Sequence, residues 1–326
     1  MKTIRRRAYG SAEILRLEEV PVPVPGPREV LIRVRAASVN AMDLHLMRGL
    51  PRASRLFTGL ARPKDPRLGT DLAGTVEAVG AEVKGFAPGD AVFGACRGAF
   101  ALWACADESR LAGKPASLSF EQAAALPVAG LTALQGLRDV GGLRAGRKVL
   151  VIGAGGGVGS FAVQIARAMG AEVTGACSPR HVERVRALGA ARVIESGCDP
   201  LAADGVRYDL IFDLVGNRAF SELRRLLAPD GKVAAAGIAG LRPGLAAMAG
   251  WAARTAAAAL RSRFARQKLA FVSARVRRDD LCALAALVET GAVMPAISGR
   301  FPLEQAAEAV RAVGEGHAGG KVLILP

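Results

Sequence analysis

A glycine-rich turn is the first stretch of the sequence whose residue types are suited to chemistry. In VLVIGAGGGVGSFAVQIARAMG, Val149 to Gly170, glycines stand between an apolar run and a segment with the apolar spacing of a helix. Glycine lets the backbone adopt positive φ and approach a ligand closely. The unpaired N–H groups and the positive dipole end of the following helix favour an anion. The turn therefore predicts an anion-binding site.

The spacing within this turn narrows the choice of anion. Ala154, Gly156 and Gly159 fit the dinucleotide fingerprint G-x-G-x-x-G with alanine in first place, between a predicted strand and a predicted helix. No Gly-Lys-Ser/Thr follows, which excludes a P-loop. The alternative is a tight turn with a purely structural role. The residues predicted to bind the dinucleotide are Gly155, Gly156, Gly157, Val158 and Gly159.

The end of the next predicted strand indicates which dinucleotide this is. An NAD site places an acidic residue there to bind the ribose 2′-hydroxyl. This chain instead has Ser178 and Arg180, in GACSPRH. A hydroxyl and a guanidinium suit a 2′-phosphate, so the sequence predicts NADPH as the cofactor. The alternative is that Arg180 only begins the next helix on a solvated face.

Composition bounds the class of protein. The 326 residues, 51% hydrophobic and 22% charged, are typical of a globular protein long enough for two domains. No apolar run approaches the ~20 residues of a membrane span, and the N-terminus lacks the apolar core of a secretory signal. Five scattered cysteines without a CxxC pair, and three histidines, exclude a disulfide framework and a zinc finger. A cytoplasmic location is expected.

The net charge of +15 is concentrated in one part of the chain. Between Asp230 and Asp279 there are ten basic residues and no acidic one. The segment 242–278 could contact an anionic membrane or RNA, or cover a hydrophobic substrate. The alternative is an arginine-rich surface over a seam between domains, and the scarcity of aromatic residues speaks against a nucleic-acid stacking platform.

The order of predicted elements indicates the fold class. Residues up to about 122 are rich in short strands and turns. From Phe120 the pattern turns helical, with Ser119 as its N-cap, and strands then alternate with helices, which is typical of a parallel, doubly wound sheet. A helix-and-strand segment closes the chain. We predict an α/β protein whose domains are 1–122, 123–265 and 266–326.

Several motifs, in order, resemble the medium-chain dehydrogenase/reductase superfamily, in particular its zinc-independent quinone oxidoreductase branch. The stretches are EVLIRVRAASVNAMDLHLMRG, GTDLAGTVEAVG, GDAVFG, LPVAGLTALQGL, the glycine turn and GHAGGKVLI. The resemblance implies a GroES-like, strand-rich catalytic domain, 1–122 with 266–326, interrupted by a Rossmann domain that binds NADPH in the cleft between them. It also implies a homodimer.

The resemblance assigns roles near the nicotinamide. The zinc enzymes of the superfamily have cysteine and histidine ligands where this chain has Asn40 and Thr70, so no metal is expected. Asn40 is predicted to face the nicotinamide ribose or the substrate carbonyl, unless it bonds its own backbone. Asp43 and His45 are further catalytic candidates. Relatives often have tyrosine at the place of His45. His45 would supply a proton to the substrate. The alternative is a histidine that is satisfied within the fold or faces solvent.

Further cofactor contacts are implied at strand ends and in one helix. Thr132 resembles a threonine beside the nicotinamide, although it could bond back to its own helix. Lys321 resembles a basic residue that closes the cofactor cleft, and the alternative is a solvated charge. The predicted contacts at the carboxyl edge of the parallel sheet are Val215, Gly216, Gly237 and Ile238.

Together these features predict an NADPH-dependent, zinc-free oxidoreductase. It would transfer hydride to a quinone or to the C=C bond of an α,β-unsaturated carbonyl. One alternative is a weakly catalytic NADPH-binding protein that engages membrane or RNA through its basic segment. Another is an alcohol dehydrogenase, which would need the Lewis acid that the missing zinc ligands would have held.

Overall fold

The computed structural model describes residues 1–197, 201, 205–237, 266–316 and 318–326, and these form two compact units. The chain builds most of the first unit, then the second, and returns to the first. The first unit consists of Met1–Ala129, Val276–Thr290 and Pro295–Pro326, and the second of Gly130–Arg275 and Gly291–Met294.

Strands and helices are numbered along the part of the chain that the structure describes. The strands are β1 Lys2–Arg5, β2 Arg16–Glu19, β3 Glu29–Val39, β4 Asp71–Val79, β5 Ala91–Ala95, β6 Trp103–Asp107, β7 Leu111–Gly113, β8 Lys148–Ile152, β9 Glu172–Cys177, β10 Arg192–Glu195, β11 Tyr208–Asp213, β12 Leu227–Ala235, β13 Lys268–Phe271, β14 Ile297–Pro302 and β15 Lys321–Leu325. The helices are α1 Ala41–Arg48, α2 Arg55–Thr58, α3 Phe120–Ala124, α4 Pro127–Gln135, α5 Gly157–Ala168, α6 Val182–Ala187, α7 Phe220–Arg224, α8 Arg278–Glu289 and α9 Ala306–Gly314.

The first unit is built on a largely antiparallel sheet. Its order is β14-β15-β3-β4-β5-β7, and β6 pairs with the first half of β3. The long strand β3 reads EVLIRVRAASV, rich in β-branched and small residues, and its second half is buried on both faces. The last strand pairs with it so that Val322 lies opposite Val39. This register brings the C-terminal Lys321 next to the residues that follow β3.

The second unit contains a six-stranded parallel sheet of order β10-β9-β8-β11-β12-β13. Counted from β8, this is the 3-2-1-4-5-6 order of the doubly wound dinucleotide fold. The predicted α/β class, with a strand-rich unit and a parallel doubly wound sheet, is therefore confirmed. The strand order reverses between β8 and β11, and ligands of such sheets bind at the carboxyl ends of the strands there.

The stretch with the predicted helical pattern after residue 119 folds as two helices. Ser119 caps the first as predicted, since its Oγ accepts the Gln122 N–H at 3.2 Å and Gln122 Oε1 accepts the Ser119 N–H at 3.0 Å. Pro127 then begins α4, because proline has no N–H to continue the first helix and disfavours helical backbone in the residue before it.

Within the described ranges, no helix is both long and apolar enough to cross a membrane. Most of the basic segment, residues 242–265, lies outside the described residues, so its predicted membrane or RNA contact stays a prediction. Of its described part, Arg266 is paired with Asp230 at 2.8 Å, and the Arg278 guanidinium lies over the Phe86 ring, 4.6 Å from its centroid.

Candidate functional site

The glycine turn connects β8 to α5 in the second unit. Gly153 has φ of +86°, a conformation that side chains disfavour. Helix α5 begins at Gly157, and its first N–H groups have no carbonyl partner within the helix. A Cβ on Gly159 would lie 2.1 Å from the Gly153 carbonyl oxygen. Glycine at this position therefore lets α5 pack directly on the end of the strand.

The segment after β9 lies beside this turn. A Cβ added to Gly155 would lie 2.6 Å from the His181 ring, and Arg184 donates a hydrogen bond to the Gly155 carbonyl oxygen. Ser178 is partly exposed and Arg180 is exposed, one turn before α6. The structure thus places the predicted 2′-phosphate residues on a segment that touches the predicted pyrophosphate turn.

The ends of the next two strands meet at the same edge. After β11, the Asp213 carboxylate accepts the N–H groups of Val215 at 3.0 Å and Gly216 at 2.9 Å, which fixes the turn. A Cβ on Gly237 would lie 2.3 Å from the Val215 backbone, and one on Gly153 would lie 3.0 Å from the Val215 side chain. Three of the predicted cofactor contacts, Val215, Gly216 and Gly237, are therefore neighbours at this edge. Thr132 is half-buried on α4, and Ile238 lies outside the described residues.

A dinucleotide fits this edge of the sheet. The start of α5 offers a pyrophosphate the N–H groups that have no carbonyl partner within the helix. Among the described residues, and apart from its chain neighbours, a Cβ on Gly156 would meet a single atom within 4 Å, the Gly153 oxygen at 3.4 Å, so those residues leave this position open. The strand order places the turn at the crossover point of the sheet, where such ligands bind.

A second set of polar residues is enclosed in the first unit, at the end of β3 and at the starts of α1, β4 and β15. Each has at most 8% of its surface exposed. Buried polar groups are costly unless they bind one another. We call this set the buried polar cluster; it consists of Ser38, Asn40, Asp43, Thr70, Asp71 and Lys321.

Lys321 lies at the centre of this cluster. Its Nζ donates to Asn40 Oδ1 at 2.5 Å and to the Val39 carbonyl at 3.3 Å, and it lies 3.5 Å from Asp71 Oδ2. The same Asp71 oxygen accepts from Asn40 Nδ2 at 2.9 Å and from Ser38 Oγ at 2.9 Å. The alternative of a solvated Lys321 is therefore wrong, because the register of β15 carries this side chain inside.

Burial favours the neutral forms of both Lys321 and Asp71. It lowers the pKa of Lys321, and it raises the pKa of Asp71, while the attraction between the two groups opposes both shifts. Every other contact of the Asp71 carboxylate is a donor, including the Val128 N–H at 3.1 Å. An acceptor-only carboxylate matches that set, so the contacts favour the ionised pair.

Both donor hydrogens of the Asn40 amide are directed inward. One binds Asp71, and the other points toward the Ser38 carbonyl at 3.4 Å. Because Lys321 occupies one side of Oδ1, the cluster fixes which way the amide faces. A substrate or ribose would find in Asn40 an oxygen lone pair rather than a free N–H, which narrows the role predicted for it.

Asp43 is enclosed beside Asn40 and Thr70. Its Oδ2 accepts the Asn40 N–H at 2.8 Å, and its Oδ1 accepts the Thr70 hydroxyl at 3.1 Å. Burial, reinforced by the nearby Asp71 charge, raises the pKa of Asp43 to about 7. This carboxyl can therefore hold or release a proton near neutral pH, and the Thr70 hydroxyl is the bonded group that can relay that proton.

We expect Asp43 to make stability depend on pH. Its folded-state pKa of about 7 exceeds the ordinary 3.8, so the folded protein binds a proton that the unfolded chain has lost. The stability that the folded protein gains from binding this proton is fully present below pH 3.8. It is lost as pH rises through 7, a total of about 4 kcal/mol. Relative to wild type, Asp43→Asn should gain stability from pH 4 to pH 7, measured by urea unfolding. A difference that is constant with pH would contradict the raised pKa.

His45 lies two residues after Asp43 on α1 and is half-buried. Burial, and then the neighbouring Arg48 charge, lower the pKa of His45. A neutral imidazole dominates at pH 7 as a result, which makes His45 a poorer proton donor than Asp43.

The donor set does not fit a zinc ion. At the two positions that resemble zinc ligands, the Asn40 amide is bound to Lys321 and Asp71, and the Thr70 hydroxyl is bound to Asp43. Zinc needs thiolate, imidazole or carboxylate ligands, whereas an ammonium already supplies the positive charge here. Within the described ranges there is also no group of three His, Cys, Asp or Glu residues placed to hold a metal.

Sequence reasoning missed several residues of these sites. Asp71 stands next to Thr70 at the head of a strand whose first four residues are buried, and a buried carboxylate needs partners. That was the available signal. Asp213 ends a buried strand in a similar way. Arg184 could not be assigned, since its contact with Gly155 depends on how α6 packs.

Comparison with known proteins covers almost the whole chain. Residues 26–167 match the family model of the alcohol dehydrogenase GroES-like domain, and residues 188–324 match that of a zinc-binding dehydrogenase. The chloroplast envelope quinone oxidoreductase homolog of Arabidopsis thaliana is 33% identical over 340 residues, covering 100% of this chain and 98% of the relative.

Solved structures agree with these matches. The quinone oxidoreductase from Coxiella burnetii superimposes with a TM-score of 0.85 at 28% identity, covering 100% of this chain and 99% of that one. An NAD-dependent alcohol dehydrogenase superimposes with a TM-score of 0.82 at 31% identity, with both chains covered completely. The arrangement of strands in both units is therefore shared with dehydrogenases and reductases.

Proposed function

The chain belongs to the quinone oxidoreductase-like branch of the medium-chain dehydrogenase/reductase superfamily, and we propose that it is an NADPH-dependent reductase of quinones or α,β-unsaturated carbonyls. The cofactor, when bound, supplies the hydride. The substrate accepts that hydride and one proton, so a quinone becomes a hydroquinone and an enone becomes a saturated carbonyl compound.

The second unit would hold the cofactor. The α5 N-terminus and the glycines before it bind the pyrophosphate through backbone N–H groups. Ser178 and Arg180 bind the 2′-phosphate by charge-assisted hydrogen bonds. Asp213 keeps the turn at Val215 and Gly216 in place, which presents backbone rather than a bulky side chain at the sheet edge.

The buried polar cluster favours an electrophilic substrate. An alcohol needs its oxygen polarised by a metal or a strong base before hydride leaves, and here Lys321 occupies the cluster at 2.5 Å from Asn40 Oδ1. A quinone or an enone is already electron-poor, so positioning and a hydrogen bond suffice. This ammonium, bound to Asn40 at one of the two positions that resemble zinc-ligand positions, is the observation that carries the proposal.

Asp43 and Thr70 would control the proton. When Asp43 is ionised, the Thr70 hydroxyl donates to it, as its 3.1 Å contact indicates. When Asp43 is protonated, its own hydrogen can bind the Thr70 oxygen, which frees the hydroxyl hydrogen to turn toward a ligand. Asp43 thus acts through Thr70 and orients it.

A turnover screen tests the function. Purified protein is mixed with NADPH or NADH, and cofactor absorbance is followed with small quinones, enones and, in reverse with the oxidised cofactors, simple alcohols. We expect oxidation of NADPH with quinones or enones and little alcohol oxidation. Alcohol oxidation that requires added zinc would support an alcohol dehydrogenase instead. Tight NADPH binding without turnover would support the weakly catalytic binding protein.

Cofactor preference is predicted to depend on Arg180. Arg180→Ala should weaken NADPH binding by about 10- to 100-fold, because a charge-assisted hydrogen bond to the phosphate is lost. NADH, which lacks this phosphate, should bind almost as before. Both dissociation constants can be measured by quenching or enhancement of nicotinamide fluorescence.

Arg186→Ala is the matched control for this prediction. Arg186 is exposed on α6 and pairs with Glu183 at 2.7 Å, so its removal changes the net charge equally near the same segment. It should leave both affinities within about twofold. Equal losses of NADPH and NADH in Arg180→Ala would contradict the assignment of the 2′-phosphate site.

A further inference from the structure

Three large apolar side chains are exposed within five consecutive positions of the first unit. Leu56 is 65% exposed, Phe57 83% and Leu60 69%. We call these three residues the apolar tip. Isolated exposed apolar residues are common, but several large ones close together in the sequence of a folded domain are characteristic of an interaction surface.

The apolar tip is held by a fixed scaffold. Arg55 donates to the Gly49 carbonyl at 3.0 Å and lies over the Tyr9 ring, 4.3 Å from its centroid. The Tyr9 hydroxyl donates to the Gly59 carbonyl at 2.7 Å, and the turn is closed by the Lys64 N–H on the Thr58 carbonyl at 2.8 Å. The backbone is anchored on both sides while the apolar side chains face solvent.

The chain around the tip is strongly basic. From Arg48 to Lys64 there are five basic residues and no acidic one. Arg52, Arg62 and Lys64 are exposed. The next acidic residue, Asp65, is paired with Arg67 at 2.9 Å. Apolar side chains at the centre of a cationic patch complement a surface that is negative outside and apolar beneath.

We propose that the apolar tip and its surrounding basic residues dock this protein on anionic lipid bilayers. Phe57 and its leucine neighbours would insert at the boundary between headgroups and acyl chains, and the arginines and the lysine would bind anionic headgroups. A self-associating protein surface would gain little from this patch, since two copies would bring ten like charges together. The proposal does not depend on the reductase activity.

Vesicle co-sedimentation of the full chain tests the proposal. Vesicles of phosphatidylcholine alone are compared with vesicles that also contain phosphatidylglycerol, at low and high salt. Wild type should bind the anionic vesicles, and binding should weaken about tenfold or more with high salt or with the triple variant Leu56→Ser, Phe57→Ser, Leu60→Ser. Arg52→Glu with Arg62→Glu should lose binding to a similar extent.

Val22→Ser with Val24→Ser is the matched control. These residues are 45% and 88% exposed in the extended connector before β3, whose residues 20–27 include no basic one. This variant should bind like wild type, and thermal unfolding should show that all variants remain folded. The proposal is overturned if wild type ignores anionic vesicles, if the triple variant binds equally well, or if that variant instead converts a dimer to a monomer.

Discussion

Lys321→Met is expected to lower the free energy of unfolding of the first unit by about 3–5 kcal/mol. The substitution keeps the length and apolar stem of the side chain but removes the ammonium. Asp71 then keeps its charge inside the protein without its cation, and Asn40 Oδ1 loses its donor. Breaking one side of a buried pair costs far more than the pair itself contributes, because the remaining charge stays desolvated.

The measurement must separate the two units. Trp103 lies on β6 in the first unit, so its fluorescence reports on that unit alone in a Trp251→Phe background. Urea unfolding followed at this tryptophan gives the free energy for Lys321→Met. The exposed Lys2, which pairs with Glu304 at 3.1 Å, is the control, and Lys2→Met should cost less than about 1 kcal/mol.

The double variant Lys321→Met with Asp71→Asn tests the cause of the loss. Removing both charges leaves an amide that can still accept from Ser38, so most of the lost stability should return. Activity should not return, because Asn40 has lost the partner that orients its oxygen. If Lys321→Met alone unfolds like wild type, then the ammonium is not enclosed against Asp71 and the account of the buried polar cluster fails.

The parallel sheet could be predicted because its signals are local. Alternating apolar runs and one-sided helices imply crossover connections, and the glycines of VLVIGAGGGVGS mark the first turn. Ser119 and Gln122 are likewise a local capping pattern, three residues apart. The break at Pro127 was also readable in principle, since proline at a helix start is common.

The buried polar cluster could not be predicted in the same way. Lys321 and Asn40 are 281 positions apart, and only the pairing of β15 with β3 makes them neighbours. Lysine is rarely buried, so a solvated or cleft-lining side chain was the natural expectation. The raised pKa of Asp43 has the same origin, because it depends on enclosure by several elements rather than on neighbours in sequence.

Gly156→Ala and Gly159→Ala are expected to separate cofactor binding from folding. A Cβ on Gly159 would meet backbone atoms, the Gly153 oxygen at 2.1 Å and Ala154 Cα at 2.7 Å. Backbone cannot move aside as a flexible side chain can, so this variant should lose about 3 kcal/mol of stability in the second unit. Hydrogen exchange of peptides from β8 and α5 measures that loss without involving the first unit.

At Gly156 an added Cβ should be tolerated as long as no cofactor is bound. It lies 3.4 Å from the Gly153 oxygen, an ordinary contact, and the backbone φ of −82° suits any residue. Gly156→Ala should therefore unfold within about 1 kcal/mol of wild type. The methyl group would nevertheless occupy the space through which a pyrophosphate approaches the backbone, so NADPH binding should weaken about tenfold or more.

The contrast between these variants decides what the glycine turn does. A turn that served packing alone would need glycine only where a Cβ meets the protein, at Gly159, and would accept alanine at Gly156 without any change in ligand binding. A turn that binds a dinucleotide also needs space where the protein leaves it unfilled. If Gly156→Ala binds NADPH and NADH as wild type does, then the space above Gly156 is not the pyrophosphate site, and hydride chemistry from this edge of the sheet loses its basis.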